Sequence, residues 1–156
     1  MKTARMLLLA FCCAMLAGCT APSGGTDALA VYSFAGETAQ FSVTNGIIVL
    51  HPGKDILYGG TLTEKQDIPS KAAACSTAFF VLSEGGRHTL LSCESVDATG
   101  TGLDISGPLG SVAGENILHG LTAEALQGNF FLELAITDAS GAQQHCEVPL
   151  TLTEVT

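Results

Sequence analysis

Short runs of β-branched and aromatic residues, separated by glycine and asparagine, fill the chain from Leu29 onward. Little of this part shows the apolar repeat of 3.6 residues that marks an amphipathic helix, whereas runs of this length and composition are typical of strands. The pattern therefore predicts an all-β domain. The strand candidates are residues 30–34, 41–44, 47–50, 56–63, 77–82, 89–93, 103–106, 130–137 and 147–153.

Three turn signals predict antiparallel hairpins. Asn45-Gly46 lies between two strand candidates and suits a type I′ turn, whose central residues both need a positive φ. Residues 84–87 and 138–141 contain glycine and are flanked by runs long enough to pair. Two segments are predicted to form short helices instead, residues 70–74 and residues 122–127. For the second helix, Thr122 is the expected N-cap and Gly128 the expected stop signal.

The number of strands predicts the architecture. About eight or nine strands in roughly 130 residues suit a small antiparallel β-sandwich of immunoglobulin-like or jelly-roll type, with a small β-barrel as the alternative. A chain of 156 residues is long enough for one such core but short for two. We therefore expect a single β domain over residues 29–156.

The N-terminal residues have the composition of an export signal. Lys2 and Arg5 precede an apolar run over residues 6–16, and the small residues Ala17 and Gly18 follow it. A transmembrane helix needs about 20 apolar residues, and this run is roughly half that length. The segment therefore predicts a cleaved signal peptide rather than a membrane span.

The four residues Leu16-Ala17-Gly18-Cys19 resemble the lipobox of bacterial lipoproteins, which has a branched residue, two small residues and a cysteine. The resemblance implies cleavage between Gly18 and Cys19 and attachment of diacylglycerol to the Cys19 sulfur. Thr20 replaces the aspartate that retains such proteins at an inner membrane, so the family rule implies the outer membrane, if the organism has one. The alternative is an ordinary secretory signal with a chance cysteine.

These assignments divide the chain into residues 1–18 as signal peptide, residues 19–28 as a lipidated tether, and the β domain. The tether contains Pro22, Ser23, Gly24 and Gly25, a composition too polar to form part of a core. Two or three acyl chains anchor a protein stably, whereas one chain binds marginally. The membrane is therefore the expected partner, through the lipid.

Charge excludes one class of partner. Of the six basic residues, Lys2 and Arg5 lie in the signal peptide, so the remaining chain has four basic residues against all 15 acidic ones. Nucleic-acid binding requires clustered cations that neutralise phosphates, and the sequence has no such cluster. The same acidity disfavours electrostatic attraction to anionic lipids.

Three cysteines remain beyond the signal peptide and the lipidated residue: Cys75, Cys93 and Cys146. An exported domain can form disulfides, and Cys75 and Cys93 lie nearly symmetrically about the turn at residues 84–86. We therefore predict a Cys75–Cys93 disulfide, which would contribute about 3 kcal/mol in the chain-entropy model. The alternatives are a Cys93–Cys146 bond and three reduced thiols.

The sequence contains no catalytic or metal-binding motif that we recognise. His51, His88, His119 and His145 lack the close spacing of zinc ligands, so no metal or cofactor is expected. His145 and Cys146 are adjacent, which on a strand directs them to opposite faces and prevents a thiol-base pair. No serine lies in a Gly-x-Ser-x-Gly elbow, and the carboxylates are scattered.

These observations favour a non-catalytic lipoprotein of the cell envelope, whose β-sandwich presents loops or a sheet face to another protein or a glycan. One alternative is a carrier of a small ligand or lipid, which needs a barrel with an open apolar lumen. The other is an envelope hydrolase with carboxylates brought together from different strands.

Overall fold

A computed structural model of the protein describes residues 29–65, 72–118 and 120–155. The predicted signal peptide, the tether with Cys19, and His119 lie outside these residues. The described strands and the one short helix are β1 (Ala30–Glu37), β2 (Phe41–Leu50), β3 (Asp55–Tyr58), β4 (Thr61–Glu64), β5 (Ala72–Ser83), β6 (Gly86–Val96), β7 (Gly107–Pro108), β8 (Ser111–Gly114), α1 (Ala123–Leu126), β9 (Phe130–Asp138), β10 (Gln143–Pro149) and β11 (Thr151–Glu154). In this part of the chain no helix has the length and apolar character needed to cross a bilayer.

The strands form two antiparallel sheets. The smaller sheet has the order β10-β9-β5-β6. The larger sheet has the order β11-β1-β2-β3-β8, with β4 paired to β2 and β7 paired to β4. Neither sheet closes into a barrel, so the described residues form a small all-β sandwich and the predicted fold class is confirmed.

The core lies between the inner faces of the two sheets. Phe34 of the larger sheet meets Phe79 and Phe130 of the smaller one, with ring centroids 5.7 Å and 5.1 Å away. Both contacts are edge-to-face, the geometry that aromatic quadrupoles favour. Alternate residues along β9 are buried, as expected for a strand with one face on the core.

Asn45-Gly46 does not form the predicted turn. It lies inside the continuous strand β2, where Asn45 has a φ of 59° and forms a bulge opposite the β1 segment Phe34–Gly36. The bulge separates two halves of β2 with different partners, because residues 41–44 pair with β4 and residues 47–49 pair with β3. A positive φ at Asn45 therefore bends a strand here instead of reversing the chain.

Two predicted strands are each divided in two. The candidate over residues 56–63 breaks at Gly59-Gly60 into β3 and β4. The candidate over residues 147–153 breaks at Leu150, where the chain crosses from the smaller sheet to the larger one. Val148, Leu150 and Leu152 are all buried, so the alternation predicted for one strand in fact continues across two sheets.

The remaining local predictions have mixed outcomes. The hairpins at residues 84–87 and 138–141 are confirmed by the β5–β6 and β9–β10 pairings. Helix α1 is confirmed, with the Ala125 N–H donating to Thr122 Oγ1 at 3.3 Å. The helix predicted over residues 70–74 does not form where the structure describes it, because residues 72–74 begin β5, which pairs with β9 and β6, and residues 70 and 71 lie outside the described residues. Residues 103–106 form no strand beyond a bridge between Leu103 and Ala72.

Candidate functional site

The outer face of the smaller sheet carries a group of charged residues that lie far apart in the sequence. Glu133 on β9 lies directly opposite Glu147 on β10, and His145 lies one step along the same face. Arg87 projects from β6 and forms an ion pair with Glu133. We call Arg87, Glu133, His145 and Glu147 the outer-face cluster.

An aromatic pair supports the cation of this cluster. The Arg87 guanidinium lies over the Phe80 ring, 3.8 Å from its centroid. Phe80 stacks on Phe131, with centroids 5.3 Å apart. Phe80 is only 2% exposed although it faces outward, because Arg87 and Phe131 cover it. The guanidinium is thus positioned by stacking as well as by its carboxylate partner.

Electrostatics keep Glu133 in its charged form. The hydrogen bond from Arg87 lowers the pKa of Glu133, and the positive charge of Arg87 and the nearby His145 act in the same direction. His145 Nδ1 lies 3.9 Å from Glu133 Oε1. A two-carboxylate hydrolase needs one carboxyl that holds its proton at neutral pH. The environment of Glu133 has the opposite effect, so this carboxylate is suited to holding charge rather than donating a proton.

Beside the cluster, the same face has a floor of small side chains. The floor consists of Ala74, Ser76 and Ala78 on β5 and Ala135 on β9, all half-buried. Longer side chains lie on both sides, since Ser76 is opposite Glu94 and Ala135 is opposite His145. We call this line of short side chains, with longer ones beside it, the β5 trough.

Cys75 and Cys93 lie on the inner face of the β5–β6 hairpin, at its open end. They line a groove of about 240 Å³ together with Thr77, Ser95 and the segment 103–109. Cys75 is opposite Ser95, and Cys93 is opposite Thr77, so the two cysteines are diagonal neighbours. A register shift beside Phe79, where Leu90 is the extra residue of β6, puts both on one face.

The structure has Cys75, Cys93 and Cys146 as free thiols. Diagonal Cα atoms in an antiparallel pair are about 7–8 Å apart, and a disulfide needs a separation below about 7 Å. The Cys75–Cys93 bond stays a prediction, and its formation would require the strands to shift. The alternative Cys93–Cys146 bond does not fit the fold, because β5 and β9 separate the two strands and the distance is on the order of 14 Å.

The three cysteines differ in their surroundings. Cys75 is buried, Cys146 is half-buried and Cys93 is exposed. Burial raises the pKa of the Cys75 thiol, and the neighbouring Cys93 raises it further. Cys146 Sγ lies on the inner face, 3.9 Å from Thr38 Oγ1, whereas His145 faces outward. His145 and Cys146 therefore point to opposite faces, as predicted.

The three histidines that the structure describes do not meet. His51 is exposed in the turn after β2, His88 lies on β6, and His145 lies at the opposite edge of the smaller sheet. Within the described ranges, three or more histidine, cysteine or acidic side chains nowhere converge in a way that could hold a metal ion.

Comparison with known proteins gives no family for this chain. No protein-family model matches it, and neither a curated protein nor a solved structure is significantly similar to it. A proposal for its function therefore depends on the N-terminal motif and on the two sheet faces.

Proposed function

We propose that this chain is a lipid-anchored protein of the bacterial cell envelope, whose non-catalytic β-sandwich binds another envelope protein or a glycan. The anchor is supported by Leu16-Ala17-Gly18-Cys19, which follows a basic and then apolar segment. With Thr20 after the lipidated cysteine, the proposed location is the outer membrane in a bacterium that has one. The lipid chains provide the contact with the membrane.

The binding role rests on one observation, the β5 trough with the outer-face cluster beside it. Arginine and aromatic residues are enriched in protein interfaces, and Arg87 here is already positioned over Phe80. A pre-positioned side chain loses less conformational entropy when a partner binds. The small floor at Ser76 and Ala78 leaves room for an extended segment or a sugar chain.

The carrier alternative has less support. A carrier of this size needs an apolar lumen between its strands. Here the space between the described sheets is filled by large side chains that are less than 2% exposed, among them Phe41, Phe79, Phe130 and Leu132. We therefore do not include ligand transport in the proposal.

Metabolic labelling with a fatty acid tests the anchor. The wild-type chain should incorporate the label, and Cys19→Ser should lose both the label and the membrane fraction, because the acylated sulfur is gone. Cys13→Ser is the matched control, since it removes a cysteine from the apolar run and should keep the label. Labelling of Cys19→Ser at the wild-type level would contradict the proposal.

Crosslinking in whole cells tests the binding role. Ser76→Arg fills the β5 trough with a long side chain and should remove the crosslinked partner. Ala39→Arg adds the same charge in the exposed turn between β1 and β2, on the other sheet, and should retain it. Equal crosslinking of both variants would show that the trough is not the binding surface.

A further inference from the structure

The outer face of the larger sheet has a chemistry unlike the rest of this acidic protein. Two successive rows of residues cross β11, β1, β2, β3 and β8 on this face, and none of these ten described residues is charged. The register and a β11–β1 hydrogen bond place Val155, Val31, Val49, Ile56 and Ala113 in one row, and Thr153, Ser33, Ile47, Tyr58 and Ser111 in the next. We call these two rows the apolar face.

Several side chains of the apolar face are open to solvent in the isolated chain. Ile47 is 40% exposed, Tyr58 is 42% exposed, and the two lie directly opposite each other. Val155 is 54% exposed at the end of the neighbouring row. Contiguous exposed apolar residues on a soluble domain mark a surface that is covered by something else.

The apolar character is confined to one end of the sheet. At the other end the outer face carries Glu37, opposite Ser42, and Lys65 contacts Glu37 at 3.1 Å. The uncharged rows lie at the end where Ala30 begins β1. Leu29, the residue before this strand, is 60% exposed. The chain from the N-terminus thus enters the domain next to its apolar face.

We propose that the apolar face lies directly on the lipid bilayer that holds the anchor. This inference rests on the proposed lipidation of Cys19. The ten residues of the predicted tether, 19–28, reach at most about 33–36 Å even when fully extended, so Val31 is held within about one domain width of the lipid. Desolvation of Val31, Val49 and Ile47 in the interfacial region then adds to the anchoring by the acyl chains.

Charge favours this face over the outer face of the smaller sheet, which carries Glu94, Glu133 and Glu147, for contact with lipid. The chain is strongly acidic, so most of its surface is repelled by anionic headgroups. An uncharged face can approach them without that repulsion. Tyr58 suits the boundary between headgroups and acyl chains, where tyrosine places its ring in the apolar region and its hydroxyl in the polar one. The opposite sheet, with the β5 trough, then points away from the membrane.

Tryptophan fluorescence tests the contact, because the chain has no tryptophan of its own. Tyr58→Trp places a single reporter on the apolar face, and Ser92→Trp places the control on the outer face of the other sheet. Each lipidated, mature protein is reconstituted in vesicles of phosphatidylethanolamine and phosphatidylglycerol that contain a brominated phosphatidylcholine. We expect the bromines to quench most of the emission at position 58 and little at position 92, and aqueous acrylamide to show the reverse.

A charged variant distinguishes the membrane contact of the apolar face from the anchoring by the acyl chains. Ile47→Asp, combined with Tyr58→Trp, should restore acrylamide quenching while the protein still floats with the vesicles. Thr63→Asp, at the polar end of the same face and likewise combined with Tyr58→Trp, should leave the bromine quenching unchanged.

Each of the other results would overturn the inference in a distinguishable way. Equal acrylamide quenching at positions 58 and 92 in vesicle-bound protein would show that the face is in water. If position 58 is protected from acrylamide but is not quenched by the bromines, and the protein has a dimeric mass in detergent, a second copy of the chain covers the apolar face. A protein that carries no lipid and does not float would overturn the proposed anchor itself.

Discussion

At the scale of single residues, Asp97 makes the clearest pH-dependent contribution. Its carboxylate accepts hydrogen bonds from the N–H groups of Thr99, Gly100 and Gly102, at 2.8, 3.0 and 2.6 Å, and from the Thr99 hydroxyl. These bonds lower the pKa of Asp97 to about 2. Because the folded-state pKa is depressed, the stabilisation is present above the unfolded value of about 3.9 and is lost as the pH falls towards the folded value.

We therefore expect carboxyl NMR titration to give Asp97 a pKa of about 2. Asp97→Asn should be less stable than wild type at neutral pH, and the difference should shrink as the pH falls below about 4. Glu84→Gln, in an exposed turn, is the control and should show no such trend. A difference that is constant from neutral to acidic pH would contradict this account.

The outer-face cluster gives a second prediction. Removing the guanidinium in Arg87→Met should raise the pKa of Glu133 towards the ordinary range of a glutamate, because the Arg87 hydrogen bond is the main cause of its depression. NMR titration of Glu133 measures this shift. Lys65→Met removes a cation on the other sheet and should leave the titration unchanged. An unchanged pKa in Arg87→Met would show that Arg87 does not bind Glu133 in solution.

The thiols should react in the order of their exposure. In the free-thiol form that the structure has, we expect an alkylating reagent to modify Cys93 first, Cys146 second and Cys75 last, because Cys75 is buried and its raised pKa reduces the thiolate fraction. Mass spectrometry without reductant follows all three. A native protein that accepts only one label, with Cys75 and Cys93 protected until reduction, would show that the hairpin shifts to form the disulfide.

Residue pairs could be predicted from the sequence only where the hairpin register is regular. Glu133 and Glu147 are about equally distant from the turn at residues 138–141, so their pairing could be predicted from the position of that turn. Cys75 and Cys93 are not equally distant from the turn as it forms, because Ser83 pairs with Gly86. A regular hairpin would put them on opposite faces, and the extra residue Leu90, which has no signal in the sequence, makes them diagonal neighbours on one face.

At the scale of elements, the bulge in β2 is the feature most open to test. A Cβ atom at Gly46 would lie 2.2 Å from the Phe34 ring, which fills the core at this point. Gly46→Ala should therefore destabilise the domain by about 1–3 kcal/mol through overpacking. Gly114→Ala is the control, because its nearest neighbour would be a flexible Ile117 side-chain atom at 3.4 Å. Urea unfolding of the two variants gives the comparison, and equal stabilities would contradict the proposed role of Gly46.

The same bulge shows why some elements could be predicted and others could not. The turns at residues 84–87 and 138–141 are local, so their glycines and the flanking strand patterns were enough to predict the two hairpins. Asn-Gly allows a positive φ in a bulge as well as in a turn, and the choice here depends on Phe34, β3 and β4, which lie elsewhere in the sequence. The division of residues 147–153 likewise depends on which sheet each half joins.

At the scale of the whole molecule, the strand pattern predicted the sandwich but not the strand order. The pairing of β1 with β11, near opposite ends of the domain, is a long-range contact with no local signal. That order produces the two dissimilar outer faces, because it gathers the uncharged residues of five strands on the larger sheet. Under the proposed function, one face contacts the membrane and the other is available to a partner.

The proposed membrane location and contact require the lipid on Cys19, so mass spectrometry of the N-terminal peptide of the protein purified from membranes is the most direct test. We predict a mature chain that begins at Cys19, with a diacylglycerol group on the cysteine sulfur. A chain that begins at any other residue, or an unmodified Cys19, would contradict this prediction.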